Sequence, residues 1–404
     1  MSRASDVAGA AGLVLGLLLA AAPARAQSSD PVAELQACFD DLRVPQILDG
    51  RPVESPTVGP YYGLRLMGMG GAFTAVAEGI EAVPYTLTAL ANRRPHQGGW
   101  FDWDATLTWL VPTNLQDVDY NGCPTRGSVR LVAAGGLLRF GRVGAGVFID
   151  QVAFPSLGDR ALSLTVLRST AGVAWALPGD AWVVGVGLHT LAYDLTTATR
   201  GLGALALGAG ANVLWRPTGR RWRLGLSMRL PQAARVVPDS GTLTADLPEA
   251  VVEPWQFTLG GAWWIGEGAL NQRMAVTEND EGSPPAIDGM LLTGDLMLVL
   301  PRKVNGRDAA GLEAFFEGRT QVVNPRPTVG LRVGTETEPI ADRVRMRGGL
   351  WLEPSRFEGI TPRLHVTGGI DVRIFELYGY DIRGSLAGDA APGYGAASLS
   401  VGFW

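Results

Sequence analysis

Segments of strictly alternating polarity recur along the chain from residue 99 onwards, and the clearest runs from Gly99 to Val111. Aromatic and aliphatic side chains dominate its odd-numbered positions, whereas aspartates and threonines occupy positions 102 to 108 between them. A period of two indicates a β-strand, because successive side chains of a strand point to opposite faces. One such strand would fit a soluble sheet equally well, so the fold depends on how the pattern repeats.

The repeats place charged side chains on one face of each segment. In Trp222–Leu230, aliphatic side chains alternate with Arg223 and Arg229, and a similar alternation returns around residues 181–189, 343–352 and 365–373. A soluble sandwich would turn the charged faces to water and cover the apolar faces with a second sheet. Repeated segments of about ten residues, joined by turns, are typical of a transmembrane antiparallel β-barrel with a lipid-facing apolar side.

Tight and long connections alternate along the chain, as expected for periplasmic turns and extracellular loops. Tight turns are predicted at Gly141-Arg142, Leu177–Asp180 and Pro217–Arg220. Long connections are predicted at 112–126, 232–254, 301–327 and 387–393. The connection 266–286 is an exception, since it is long but falls on the short-turn side.

The pattern predicts an all-β fold with fourteen barrel strands, an even number that would bring both ends of the barrel to the periplasm. The predicted strands are 99–111, 127–140, 143–154, 163–177, 181–194, 204–216, 221–231, 255–265, 287–300, 328–336, 342–353, 364–373, 376–386 and 394–404.

Composition agrees with a barrel and excludes several other classes. Hydrophobic residues make up 47% of the chain and charged ones 18%, yet no apolar run beyond the N-terminal segment is long enough for a membrane helix. A net charge of −5 with mixed signs argues against a nucleic-acid partner.

The N-terminal residues have the features of a secretory signal peptide, which we expect over residues 1–26. Arg3 provides the positive region, Ala8–Ala22 the apolar region, and Ala24-Arg25-Ala26 the cleavage site. We expect residues 27–60 to form a periplasmic extension. Export and a barrel together predict the outer membrane of a Gram-negative bacterium.

Residues 61–98 precede the strands and contain a compact apolar run, Tyr62–Leu90, rich in Gly and Ala. The stretch without acids, Leu64–Ala77, is shorter than the roughly 20 residues a membrane helix needs. We therefore predict that residues 61–98 form a plug, or hatch, enclosed by a barrel of residues 99–404.

The run Arg65–Phe73, followed by Ala75-Val76-Ala77, resembles the N-terminal segment of FadL-type outer-membrane transporters. In that family an acidic patch and an Asn-Pro-Ala element follow. Here the patch is reduced to Glu78 and Glu81, and Thr86-Leu87-Thr88-Ala89 stands at about the place of the Asn-Pro-Ala element. Short motifs further along resemble the middle and end of these barrels: 214–218, 223–227, 254–260 and 329–334.

The resemblance implies passive uptake of fatty acids or other hydrophobic molecules through a pocket beside the hatch, with sideways exit at a kink in the third strand. Glycine and proline both weaken a strand ladder, and Gly144, Gly146 and Pro155 lie in or beside the third predicted strand. Three plug residues could line the pocket or could only pack the plug into the barrel: Met67, Met69 and Phe73.

Arginines and aspartates share the predicted lumen faces. Because charges facing lipid would cost about 2–4 kcal/mol each at mid-depth, we place them inside. Arg343, Arg345 and Arg347 could bind a carboxylate or another anion, or could belong to an internal charge ladder. The other predicted lumen charges are Arg223, Arg229, Arg332, Arg373, Arg383, Asp102, Asp104, Asp295, Asp371 and Asp381.

The sequence shows no arrangement for catalysis. It has no G-x-S-x-G motif, and its three histidines, His96, His189 and His365, are isolated. We expect no enzyme activity, no cofactor and no metal. Cys38 and Cys123 could form a disulfide in an exported chain or remain free thiols.

Aromatic residues mark the expected membrane boundaries and the end of the last strand. Tryptophans near strand ends fit interfacial girdles: Trp182, Trp215, Trp222, Trp255 and Trp351. The ending Phe403-Trp404 resembles the signal that outer-membrane barrels present to the barrel-assembly machinery. We expect a monomer whose partners are membrane lipids, this machinery and a hydrophobic small molecule.

The leading hypothesis is an outer-membrane channel for hydrophobic small molecules such as fatty acids. The alternative is a plugged barrel of the PorV type that acts as a secretion or surface-assembly partner.

Overall fold

The computed structural model describes most of the chain from Arg51 onwards. The described residues are 51–55, 63–92, 99–111, 117, 120, 129–157, 162–196, 201–235, 248–274, 289–312, 321–341, 343–377 and 380–403. The predicted signal peptide, Cys38, Cys123 and Trp404 lie outside these residues.

Strands dominate the described residues. In chain order they are β1 (Val53–Glu54), β2 (Phe101–Val111), β3 (Arg130–Phe140), β4 (Val143–Leu157), β5 (Leu162–Ala176), β6 (Trp182–Thr196), β7 (Gly201–Trp215), β8 (Trp222–Arg229), β9 (Gln232–Arg235), β10 (Ala250–Glu253), β11 (Trp255–Gly266), β12 (Gly289–Leu300), β13 (Lys303–Val304), β14 (Arg307–Asp308), β15 (Ala310–Gly311), β16 (Thr328–Ile340), β17 (Val344–Glu353), β18 (Arg363–Leu377), β19 (Tyr380–Ala391) and β20 (Tyr394–Phe403). One α-helix, α1, spans Leu64–Gly68.

Fourteen of these strands close into one antiparallel barrel, in the order β2–β8, β11, β12 and β16–β20. The last strand returns to the first, with Phe403 opposite Ala105 and Ala397 opposite Val111. All fourteen predicted strands therefore exist. No helix in the described part of the chain is long and apolar enough to cross a membrane.

The polar faces of the strands point into the barrel, as predicted. In β2, Asp104 and Thr108 are buried, whereas Leu107 and Trp109 are exposed. The outside carries an apolar surface in which Leu205 is 70% exposed. A buried polar face and an exposed apolar face are the reverse of a soluble protein, and they identify a barrel of the outer-membrane type.

The two ends of the barrel differ, and we term them the long-loop end and the short-turn end. The long-loop end carries the connections 230–254, 301–327 and 354–362, whereas the short-turn end carries tight turns such as Gly141-Arg142. The predicted long connection 387–393 is wrong. Strand β19 continues to Ala391, and a tight turn at Pro392-Gly393 follows, because the small residues at its end hide the alternation.

Aromatic side chains gather at the short-turn end of the outer surface. Trp182 stacks on Trp215, with ring centroids 5.5 Å apart, and Trp222 packs edge-on against Trp215 at 4.7 Å. Other exposed aromatic residues at this end are Trp100, Phe101, Phe140, Trp175 and Trp263. Trp351 does not belong to a girdle, since it is buried inside the barrel against His365.

A four-stranded sheet lies at the long-loop end, in the order β15-β1-β10-β9, and we term it the lid sheet. Its strand β1 comes from the N-terminal segment and runs parallel to both neighbours, β10 and β15. Residues 51–55, which belong to the expected extension 27–60, lie at the long-loop end, opposite the short turns, and the periplasmic location of this extension stays a prediction.

Candidate functional site: the lumen around the plug segment

Residues 63–92 lie inside the barrel and are termed the plug segment. Helix α1 ends at Gly68, and Gly70 and Gly71 just beyond it adopt the left-handed backbone conformation that is common after helix ends. Two short 3₁₀ turns follow, at Ile80–Ala82 and Leu87–Leu90. Every residue of the segment is buried except Tyr85, which is half-buried.

Polar side chains of the barrel wall bind the backbone of the plug segment. Asp295 of β12 accepts hydrogen bonds from the amides of Phe73 and Thr74, each at 2.9 Å. Asp104 of β2 accepts one from the amide of Ile80 at 2.8 Å. The wall thereby satisfies amides that have no partner within the plug's own secondary structure, as buried amides require.

A buried ionic network joins the plug segment to two walls of the barrel. The Arg65 guanidinium contacts Glu336 of β16 at 2.7 Å and Glu78 at 3.2 Å. Glu78 also accepts a hydrogen bond from Arg223 of β8 at 2.7 Å. The reduced acidic patch of the sequence is thus an anchor, since Glu81 likewise accepts the amide of Arg65 at 3.0 Å.

Glycines of the wall allow the plug backbone to approach the strands directly. A methyl group on Gly144 would overlap the carbonyl oxygen of Leu90, and one on Gly146 would meet the Leu90 side chain. Strand β4 pairs with both neighbours without interruption through these two glycines. The pairing is therefore continuous at these two glycines, whose lack of a side chain accommodates the plug, and their role in a lateral opening stays a prediction. The register shift in β4 lies further out, between Phe154 and Leu157, and includes Pro155.

The three predicted pocket residues of the plug are fully buried. Met69 lies against Gly334 and Gly349 of the wall, and the Arg65 guanidinium lies 5.1 Å from the Phe73 ring centroid. Met67 belongs to a hydrophobic cluster shared with the wall. These contacts match the packing alternative, and contact with a ligand stays a prediction.

The predicted arginine row has internal partners at two of its three positions. Arg347 contacts Asp371 at 2.6 Å and Glu336 at 2.5 Å, and Arg345 contacts Glu338 at 3.3 Å. Arg343 is exposed at the short-turn end. This arrangement matches a charge ladder, so an anion-binding role for the row also stays a prediction.

One side of the lumen is apolar between the lid sheet and the plug segment. Its inward-facing side chains, on strands β3 to β6, are buried, and their outward neighbours are exposed or half-buried. We term this surface the apolar wall: Leu131, Val152, Leu164, Val166, Leu191 and Tyr193. The same hydrophobic cluster includes Val53 and Val251 of the lid sheet and Leu87 and Leu90 of the plug.

Cationic side chains surround Tyr85, the half-buried residue of the plug. Arg332 lies with its guanidinium 5.7 Å from the Tyr85 ring centroid and 5.9 Å from that of Trp351. Arg229 donates a hydrogen bond to the carbonyl of Pro84 at 2.6 Å. Among the described residues neither arginine forms an ion pair within 4 Å, although Asp295 stands opposite Arg332 in register.

The first residues of the connection after β11, 267–274, lie near the plug segment. Asn271 accepts a hydrogen bond from Arg223 at 2.7 Å and donates one to the carbonyl of Trp222 at 2.6 Å. Arg216 contacts Asn92 of the plug at 2.8 Å, and burial together with the charge of Arg223 lowers the pKa of Arg216 to about 9. The described part of the exceptional long connection, residues 267–274, therefore lies at the short-turn end next to the plug segment.

Two histidines are described, and both are buried in the lumen. His365 contacts Asp389 at 2.8 Å and Glu353 at 3.0 Å, and His189 contacts Thr170 at 2.9 Å. Within the described ranges, no group of three or more His, Cys, Asp or Glu side chains is placed to hold a metal ion.

No protein family model matches the sequence, and no curated protein is similar to it in sequence. Solved structures are similar in fold. The toluene transporter TodX of Pseudomonas putida matches at 10% identity and a TM-score of 0.51, over 87% of this chain and 99% of that one. A FadL homologue of Pseudomonas aeruginosa matches at 13% identity and a TM-score of 0.49, over 84% and 96%. The closed fourteen-strand barrel and the likeness to TodX together show that this chain has the FadL-type fold of the bacterial outer membrane.

Proposed function

We propose that this protein is an outer-membrane channel for the passive uptake of hydrophobic small molecules of the fatty-acid type. The observation that carries the proposal is the apolar wall, which connects the lid sheet at one end with the plug segment at the other. TodX, which is similar in fold, is a transporter of toluene, and toluene is also a hydrophobic small molecule.

The position of the apolar wall is the physical reason for proposing a hydrophobic substrate. A water-filled barrel has a polar interior, whereas the inward side chains of the apolar wall on β3 to β6 are aliphatic except for Tyr193. Ligand sites in proteins are mostly apolar surfaces with a few polar groups that fix orientation. When an apolar solute binds, its contacts with this wall would replace those between the wall and the lid sheet. Such a replacement needs no energy source.

Arg229 and Arg332 could bind an acid group of the substrate above Tyr85. A guanidinium binds a carboxylate through paired hydrogen bonds, and these two arginines form no ion pairs among the described residues. The arginines of the row 343–347 are less suited to this role, because Arg345 and Arg347 already have carboxylate partners.

The proposed route out of the barrel runs sideways through its wall. The buried plug segment and the contacts of Asn271 lie between the apolar wall and the short-turn end, which favours a sideways exit. In β4 the register shift that includes Pro155 is a natural weak point of the ladder. Gly144 and Gly146 would take part only if the plug segment moved away from them.

The test compares two substitutions at one position of the apolar wall. Val166→Thr keeps the shape but adds a hydroxyl, and Val166→Ala removes volume but stays apolar. Uptake of a labelled long-chain fatty acid by cells that lack other uptake barrels should fall with Thr much more than with Ala, at equal levels of folded protein. Equal uptake by both variants and the unchanged protein would argue against passage along this wall.

Mass spectrometry of lipids bound to the purified protein gives an independent result. A narrow, stoichiometric set of hydrophobic molecules would support transport. Bulk membrane lipids alone, with no binding of added fatty acid, would favour the assembly-partner function. The observation that favours this second function is the filled lumen, in which almost the whole plug segment is buried.

A further inference from the structure

The lid sheet is completed by a strand from the N-terminal segment. Val53 stands between Val251 and Ala310, and Glu54 between Val252 and Gly311, in parallel registers. The amide of Ala310 donates to the carbonyl of Pro52 at 2.9 Å, and that of Ser55 donates to Val252 at 2.9 Å. Strand β1 therefore joins two loop segments that do not pair directly with each other.

One buried ion pair fixes β1 in this position. Arg356, from the connection between β17 and β18, contacts the Glu54 carboxylate through Nε at 2.6 Å and Nη2 at 2.8 Å. Its Nη1 also donates to Thr328, the first residue of β16, at 3.0 Å. Glu54 is 6% exposed, so this two-point contact links the N-terminal strand to the rim of the barrel away from the solvent.

The lid sheet and the apolar wall share one hydrophobic cluster. Val53, Ala234 and Val251 are 0% exposed and belong to the same hydrophobic cluster as Val152 and Val166. The side chains of the apolar wall are at most 3% exposed. A solute that enters at the long-loop end would therefore have to displace the lid sheet to reach them.

We infer that β1 is an autoinhibitory latch: it holds the lid sheet over the apolar wall, and its release opens the lumen at the long-loop end. A latch must hold and also release. A two-residue parallel strand is a weak element, because it makes few hydrogen bonds and parallel pairing is slightly less stable than antiparallel pairing. The Glu54–Arg356 contact therefore accounts for much of its hold. The expected effect on uptake rests on the proposed function, whereas the contacts that hold β1 in place do not depend on it.

The first experiment measures lid opening without any substrate. In a background with Cys38→Ser and Cys123→Ser, Val166→Cys places a thiol on the apolar wall beneath the lid sheet. A membrane-impermeant maleimide added to whole cells should label it slowly, and Glu54→Gln should accelerate labelling. The exchanged pair Glu54→Arg with Arg356→Glu should restore slow labelling. Asp308→Asn, which removes an exposed ion pair in the neighbouring β13–β14 hairpin, is the matched control and should leave the rate unchanged.

The inference would be overturned if the Glu54→Gln variant and the protein that keeps Glu54 were labelled at the same rate, with equal amounts of folded barrel in the cells. Acceleration of the same size by the Asp308→Asn control would overturn it as well, since it would show a general loosening of the loops.

The second experiment locks the latch. Val53→Cys with Val251→Cys, in the same cysteine-free background, joins β1 to β10 at positions that are partners in register, a separation compatible with a disulfide. Fatty-acid uptake should be lost on oxidation and return on reduction. Ala233→Cys with Val252→Cys joins β9 to β10 and leaves β1 free, so it should leave uptake intact. Uptake that persists in the oxidised β1–β10 variant would overturn the inference. Absence of uptake in every reduced variant would count against the proposed function. In that case the labelling rates would still show whether β1 acts as a latch.

Discussion

Arg65 of the plug segment and Glu336 of strand β16 form a two-point ion pair inside the barrel. The Arg65 Nη2 and Nε atoms lie 2.7 and 2.8 Å from the two carboxylate oxygens of Glu336. Glu336 also accepts from Arg347, so one carboxylate connects the plug to the charge ladder of the wall. Retention of the plug should depend strongly on this residue.

Glu336→Gln should destabilise the barrel by about 3–5 kcal/mol, because it leaves two buried guanidinium groups without their shared charge. Urea unfolding of the purified protein in detergent, followed by tryptophan fluorescence, measures this change. Asp308→Asn breaks an exposed pair with Lys303 and should cost about 1 kcal/mol or less. Similar values for the two variants would contradict an anchoring role of Glu336.

Gly144→Ala should destabilise the protein although alanine fits a strand better than glycine does. The added methyl would overlap the Leu90 carbonyl, and overpacking of this kind costs about 1–3 kcal/mol. Gly136→Ala, on the adjacent strand, is the matched control, since its methyl would meet nothing closer than 3.9 Å. The same unfolding assay should show no loss of stability for the control. A neutral Gly144→Ala would mean that the plug does not dock against β4 as described.

Asp295→Ala should loosen the central part of the plug segment. Asp295 accepts from the amides of Phe73 and Thr74 and from the Thr74 hydroxyl at 2.8 Å. Without this acceptor, hydrogen exchange at these two amides should become faster, which mass spectrometry of a peptide covering them would detect. Asp194→Ala, an exposed position near the long-loop end of β6, is the control and should leave their exchange unchanged.

The barrel could be predicted from the sequence because its strands carry a local signal. Each segment alternates with a period of two, as in Phe101–Val111, and the predicted strands match the observed ones to within a few residues at most ends. The pattern fails where side chains are small. Between Gly384 and Ala391 there is too little contrast to see a strand, so its end was predicted several residues early.

The contacts inside the lumen could not be predicted in the same way. Trp351 has the spacing of a girdle residue, but the stack on His365 depends on a neighbouring strand. Arg332 and Tyr85 are separated by more than half of the chain, and Glu54 and Arg356 by 302 positions. Such pairs are fixed by the register of strands around the barrel and by the path of the plug, for which a single sequence carries no periodic signal.

Arg332→Gln should weaken binding of an acidic ligand without affecting a neutral one of the same shape. Arg332 is 6% exposed and lies between the rings of Tyr85 and Trp351, so a bound carboxylate would contact it away from competing water. A hydrogen bond to a charged group contributes about 1.5–3 kcal/mol, which corresponds to a loss of affinity of about tenfold or more. Tryptophan fluorescence titration with a long-chain fatty acid and with its methyl ester measures both affinities.

Arg220→Gln, at an exposed turn on the other end of the barrel, should change neither affinity. If the ester and the acid lose affinity equally, Arg332 contributes to the shape of the site and does not recognise the acid group, and a neutral hydrocarbon would then be the better candidate substrate.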